Sequence, residues 1–257
     1  MIKRSDILAD LHMHTVASIH GYSSLSEMIN ASKKAGFKYI AITDHLYQNA
    51  DPLLQKNETA RIEYLSSRMR YEENIKVIGG VELNLNQDVI DIKKFKRAKC
   101  WRPVGLHSWF LNFDNMTLED LYKMFEEKTV DDICTSFAHI ERDWYKINPD
   151  YDNLTPETKK TFEKIVQLAV SKSIPLELNE TSFVFNFHNP TKQIYYWLGI
   201  AKELNAPLYL GSDAHFYSEI GHFENSLKAL NEINYPPELI MNLDEKKLNL
   251  IVPDELK

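Results

Sequence analysis

Seven short apolar runs, rich in Ile, Val, Leu or Tyr, recur along the chain at Ile7 to Leu11, Tyr39 to Thr43, Lys76 to Val81, Pro103 to Leu106, Asp132 to Phe137, Pro175 to Leu178 and Pro207 to Leu210. Longer stretches with helical periodicity separate them, and this alternation predicts βα units around a parallel sheet. The first helix starts at Ser23 or Ser24, with Ser24-Leu25-Ser26-Glu27 as a capping box, and ends near Gly36, turning Leu25, Met28, Ile29 and Ser32 inward. Further amphipathic stretches run from Glu58 to Glu73, Leu118 to Thr129, Pro156 to Ser171, Thr191 to Leu204 and Glu224 to Asn231. Pro156 and Pro190 stand where a helix's first turn tolerates proline.

Nothing like a linker, repeat or low-complexity tract breaks the pattern, so one domain over residues 1–257 is expected, an ordinary length for an α/β barrel. A composition of 44% hydrophobic and 26% charged residues places the chain among globular proteins rather than disordered or membrane-spanning ones. The N-terminal apolar run is broken by Asp10 and is too short for a signal peptide, and no stretch approaches membrane-spanning length. Cys100 and Cys134 form no Cys-x-x-Cys motif and read as two reduced thiols of a cytoplasmic protein. The net charge of −7 argues against a nucleic-acid partner. The local basic run Lys93, Lys94, Lys96, Arg97 and Lys99 lacks interleaved aromatic residues and reads as a solvated segment. Trp101, Trp109 and Trp144 are candidates for a pocket mouth or an interface of a homo-oligomer, with core packing as the equal alternative.

The candidate chemistry sits just past the strands. His12 and His14 alternate on extended backbone after the first strand and share one face, behind Asp10. Asp44-His45 follows the second strand, Glu82 the third, His107 the fourth, His139 the fifth, Asn179-Glu180 the sixth and Asp213-Ala214-His215 the seventh. With His20, in the loop after the first strand, seven of the nine histidines fall at carboxyl ends, leaving out only His188 and His222. In a closed parallel barrel those ends form one rim, the usual seat of catalysis. Singly, each histidine is better read as a surface or hydrogen-bonded residue. Buried together without a cation they would be costly, whereas metal ions satisfy them all. Imidazole and carboxylate donors without thiolates suit zinc, manganese or iron.

The segments Asp10-Leu-His-Met-His-Thr-Val-Ala-Ser-Ile-His20, Ala41-Ile-Thr-Asp-His45, Gly80-Val-Glu82, Gly105-Leu-His107, Ala138-His139, Leu176-Glu-Leu-Asn179 and Leu210-Gly-Ser-Asp-Ala-His215 resemble the PHP (polymerase and histidinol phosphatase) superfamily. Within it the chain is most similar to the stand-alone YcdX-type phosphatases. That resemblance implies a distorted, TIM-like (β/α)7 barrel of parallel strands with three divalent metal ions, zinc foremost, with manganese or iron as alternatives. It implies that His12, His14, Glu82 and Asp213 hold one metal, that Glu82 bridges to a second held by His107 and His139, and that His20, His45 and His215 hold the third. Asp10 would stand behind the metals, orienting a ligand histidine, and Asp44 likewise. The segment Ile140-Glu141-Arg142-Asp143-Trp144 departs from the family pattern, as does the stretch after His45, and both concern the substrate rather than the metals.

The expected activity is hydrolysis of a small-molecule phosphate monoester by a metal-bridged hydroxide, with Asp10, Glu82, Asp213 and Arg142 as catalytic residues and no protein nucleophile. Arg142, Lys146 or His188 could meet the phosphate, a surface role being equally open to each. Three rivals stand beside it. A PHP-type nuclease is disfavoured by the acidic balance. A metallohydrolase of the amidohydrolase kind usually has a metal-bridging carbamylated lysine or carboxylate late in its barrel, whereas here the bridge falls on Glu82. A metal-binding regulatory protein would need every coordination position filled by protein.

Overall fold

The computed structural model describes residues 1–18, 20–45, 65, 72–86, 99–107, 113, 115–148, 150, 152–184 and 190–252. The helix expected from Glu58 to Glu73 falls almost wholly outside them, as do Trp109, His188, the segment after His45 and the basic run except Lys99.

Eight strand segments are present among the described residues, all paired in parallel. A first sheet joins β1 (Ala9–Asp10), β2 (Tyr39–Ile42) and β3 (Lys76–Gly79). A second joins β4 (Leu83–Asn84), β5 (Pro103–Gly105), β6 (Ser136–Phe137), β7 (Leu176–Asn179) and β8 (Leu208–Gly211). β3 and β4 are two halves of one strand, kinked at residues 80–82, where Gly80 bridges Trp101 and His45 bridges Glu82. The seven expected strands are therefore all present, the third running on past Glu82. The other seam closes through Leu11 N to Leu210 O (3.3 Å), Asp213 N to His12 O (2.8 Å) and His14 N to Ala214 O (2.8 Å). The result is a parallel barrel, distorted where β1 meets β8. There the buried side chain of Asn242 enters the gap, accepting from Leu210 N (2.7 Å) and donating to the carbonyls of Ala9 and Leu210 (2.9 Å each).

Period-two alternation distributes the strand residues. Tyr39 and Ala41 join Ala9, Ile78, Trp101 and Tyr209 in one apolar cluster, while Ile40 and Ile42 join the larger cluster with the helices. Trp101 and Trp144 are core residues, 2% and 0% exposed, so neither lines a mouth or an interface. The run expected from Asp132 to Phe137 pairs only at its end. Asp131 and Asp132 are left-handed (φ 52° and 50°), and Arg102 takes the carbonyls of Asp132 and Ile133 that a strand would have used.

The helices are α1 (Leu25–Lys34), α2 (Leu118–Lys128), α3 (Pro156–Lys172), α4 (Thr181–Val184), α5 (Thr191–Glu203), α6 (Glu224–Glu232) and α7 (Glu245–Ile251). The Ser24–Glu27 capping box of α1 forms as expected, Met28, Ile29 and Ser32 are buried, and Thr117–Asp120 and Thr155 cap α2 and α3. α4 and α7 were not expected. α6 takes its cap from a distance: Glu180, at the end of β7, accepts from Asn225 N (2.9 Å) and Ser226 N (2.8 Å). Its place at a strand's carboxyl end thus serves the helix's unpaired amides.

Candidate metal centre

Glu82 lies at the middle of the cluster, 1% exposed, delivered by the kink between β3 and β4. Its Oε2 is 3.2 Å from His12 Nε2, His14 Nε2 and His45 Nδ1, and its Oε1 is 2.8 Å from His139 Nε2 and 3.1 Å from His107 Nε2. Asp213 faces the first pair from the other side, its Oδ1 3.2 Å from His14 Nε2 and 3.6 Å from His12 Nε2. His20 and His215 are half-buried at the open edge, their rings 4.4 Å apart, and the ring of His20 is 4.9 Å from that of His45. All nine donors named from the sequence therefore converge. Donor atoms within 4.8 Å of one another fall into the groups His12/His14/Glu82, His45/Glu82/His107 and His14/His45/His215.

The hydrogen bonds around the cluster fix which ring nitrogens face it. His12 Nδ1 donates to Glu177 Oε1 at 2.7 Å, since a carboxylate can only accept. The single proton of Ser18 Oγ goes to Asp44 Oδ1 (2.9 Å), so His14 Nδ1 donates to that hydroxyl oxygen at 3.1 Å. His215 Nδ1 donates to the Asp213 carbonyl at 2.9 Å. All three Nε2 atoms then face inward. Those of His12 and His14 stand 3.1 Å apart, and His215 Nε2 is buried with no hydrogen-bond partner. Converging imidazole nitrogens beside two carboxylates are a donor set that a cation satisfies, and the residues present fit divalent metal.

The protonation pattern agrees. Burial would raise Glu82 and Asp213, yet the neighbouring imidazoles, with Arg142 beside Asp213, hold both carboxyls well below the usual range. Burial keeps His45 well below its ordinary value and takes His215 down to about 4, so both are neutral donors at pH 7. Burial opposes protonation of His12 and His14 as well, but Glu177, Glu82 and Asp213 hold His12 well above its ordinary value, and Asp213 and Glu82 bring His14 to about 9. A bound metal has to displace those protons.

Asp10 stands elsewhere than expected. Its Oδ1 accepts from the backbone amides of Ser212 (3.0 Å) and His12 (3.4 Å), and burial pushes the carboxyl up to about 6. It braces main chain, while the carboxylate on the His12 ring is that of Glu177, which was not among the expected site residues. Its signal was in the sequence: a charged residue alternating with Leu176 and Leu178 inside an otherwise apolar strand. Asp44 reaches His14 through Ser18, and it also accepts from Thr15 N at 2.6 Å and Thr15 Oγ1 at 2.8 Å.

Arg142 places Nη1 2.9 Å from Asp213 Oδ2 and donates from Nη2 to Asn179 Oδ1 at 3.1 Å. It lines a pocket of about 310 Å³ together with His20, Tyr22, His45, His107, Thr181, His215 and Glu219. Lys146 lies outside that lining, its Nζ over the Tyr145 ring. His139 and Asp213 both have positive φ, 26° and 55°, a strained backbone that persists only where its surroundings enforce it.

Fold and site together define a parallel (β/α) barrel with a histidine–carboxylate centre at its carboxyl rim. The chain belongs to the PHP domain family, whose model matches residues 10–181. It is 27% identical over 243 residues to a probable phosphatase of Edwardsiella ictaluri, covering 93% of this chain and 91% of that one. The probable phosphatase YcdX of Escherichia coli is 27% identical over 242 residues, with the same coverage. Among solved structures, histidinol phosphate phosphatase from Lactococcus lactis, complexed with zinc, L-histidinol and phosphate, superposes with a TM-score of 0.62 at 15% identity, covering 89% of this chain and 94% of that one.

Proposed function

We propose that this chain is a metal-dependent phosphatase that hydrolyses a small-molecule phosphate monoester in a trinuclear site. The observation that carries the reading is the convergence of nine imidazole and carboxylate donors, five of the histidines within 3.2 Å of Glu82, open on one side to a pocket that contains a guanidinium. Zinc suits these donors best, with manganese or iron as alternatives. Divalent ions held here would supply an acidified water and neutralise phosphoryl oxygens. The chain's own groups do the rest. Asp213 and Asn179 hold Arg142 by two of its five N–H groups, which leaves the others for phosphoryl oxygens. His20 and His215 line the same pocket and are only half-buried. The chain needs no nucleophile of its own. The buried, unbridged thiols of Cys100 and Cys134 suit a reducing cytoplasm, and among the described residues no helix is long and apolar enough to cross a membrane.

Elemental analysis of purified protein, with p-nitrophenyl phosphate hydrolysis followed across added Zn, Mn, Fe and Mg, tests the proposal. Two or more metals per chain, and activity lost when Glu82 and His139 are substituted together, are expected. Fewer than two metals, or activity surviving that double substitution, would overturn it. Turnover of amides or lactones but of no phosphate ester would point to amidohydrolase chemistry, and sustained degradation of single-stranded DNA to a nuclease.

A further inference from the structure

We infer that Glu177 is a positioning residue for the metal centre: one carboxylate that sets the ring of His12 and holds the strained backbone of His139. The inference rests on reading the cluster as a metal centre. Glu177 is one of two inward-facing residues of β7, with Asn179, and is wholly buried. Its Oε1 receives the Nδ1 proton of His12 at 2.7 Å, and its Oε2 accepts from the backbone amide of His139 at 3.0 Å. Both oxygens are therefore committed to residues that point other atoms at Glu82, and they tie the ends of β1 and β6 to β7.

Burying a carboxylate is expensive unless it is paired and hydrogen-bonded. A packing role would be filled more cheaply by leucine, as at positions 176 and 178. The neighbouring strand makes room for the contact: a Cβ at Gly211 would lie 2.1 Å from Glu177 Oε1 and 2.5 Å from His12 Cβ. The bond to His139 N falls on a residue whose φ of 26° needs enforcement. Carboxylate, imidazole and metal in line is an arrangement that fixes the tautomer and raises the basicity of the inner nitrogen. The rings of His14 and His215 have uncharged partners instead, a serine and a carbonyl.

The test uses metal-stripped full-length protein, Glu177→Gln and Glu177→Asp, with Co(II) titrated against a chromophoric chelator and the visible cobalt spectrum recorded. Glutamine has one acceptor oxygen and cannot serve both donors, so Co(II) affinity is expected to fall about 10- to 100-fold with a changed spectrum. Glu177→Asp, which keeps the charge on a shorter arm, is expected to fall between that variant and wild type. If the wild-type chain binds no metal, the metal-centre reading itself fails. If it binds and Glu177→Gln matches it in affinity and spectrum, that reading stands and the positioning role is overturned. Should Glu177→Gln fail to fold, Glu177→Asp decides: folded with weakened Co(II) binding supports the role. Folded with wild-type affinity, or unfolded by circular dichroism, overturns it, the last because Glu177 would then serve the fold.

Discussion

A methyl group at position 105 would stand 2.4 Å from His139 Cε1, and one at 211 would stand 2.1 Å from Glu177 Oε1 and 2.5 Å from His12 Cβ. Neither neighbour is the free end of a flexible chain, so the site has to move. Gly211→Ala and Gly105→Ala are each expected to cost about 1–3 kcal/mol by overpacking and to lower metal content, read by thermal melts and elemental analysis side by side. At this scale the donors were legible because each follows its strand, where a polar residue after an apolar run stands out. Glu177 lies within a strand rather than after it, so its signal was the charge itself among apolar neighbours. The role of Asp10 was not legible, because sequence gives no sign of whether a carboxylate will meet a ring or a backbone amide.

The elements show the same division. Apolar runs located the strands of the described residues, and Ser24 and Pro156 marked helix starts, since caps and first-turn prolines are local chemistry. Pairing lengths were not legible: Ile7 to Leu11 reduces to Ala9–Asp10 because partners, not propensity, decide where a ladder stops. Nor could the seam between β1 and β8 be foreseen, for Asn242 enters it from far along the chain. Asn242→Ala would take its partner from Leu210 N and Ala9 O, Leu210 O keeping its bond from Leu11 N, and is expected to destabilise by roughly 2–5 kcal/mol, measured by denaturant unfolding. Gly199, inside α5, makes the opposite case, since an added methyl there would have nothing within 4 Å of it. Gly199→Ala is expected to gain about 0.8–1 kcal/mol, visible as a melting temperature raised by roughly 2–4 °C.

At the scale of the whole molecule, the barrel followed from alternation of strand and helix together with polar residues kept to one end of each strand. The donors come from the ends of β1, β2, β5, β6 and β8 and from the kink between β3 and β4, so bound ions cross-link nearly the full circle. Ions that bind only the folded chain add about 2.7 kcal/mol at a hundredfold excess over their dissociation constant. Stripping the protein with a chelator should lower its melting temperature, and restoring zinc should recover it. An unchanged melt in protein shown to lose its metal would contradict this arrangement.

The seam between β1 and β8 also has a meaning in time. Asp10 and Ser212, hydrogen-bonded there, are 202 residues apart. At about 5–20 residues per second, a ribosome needs some 10–40 s after making the first histidines before it makes their last partners. Throughout that interval β1 has one open edge, and His12 and His14 lack Asp213. The nascent chain carries half a chelate on an unfinished cylinder, and only arrival of the final strand turns it into a site.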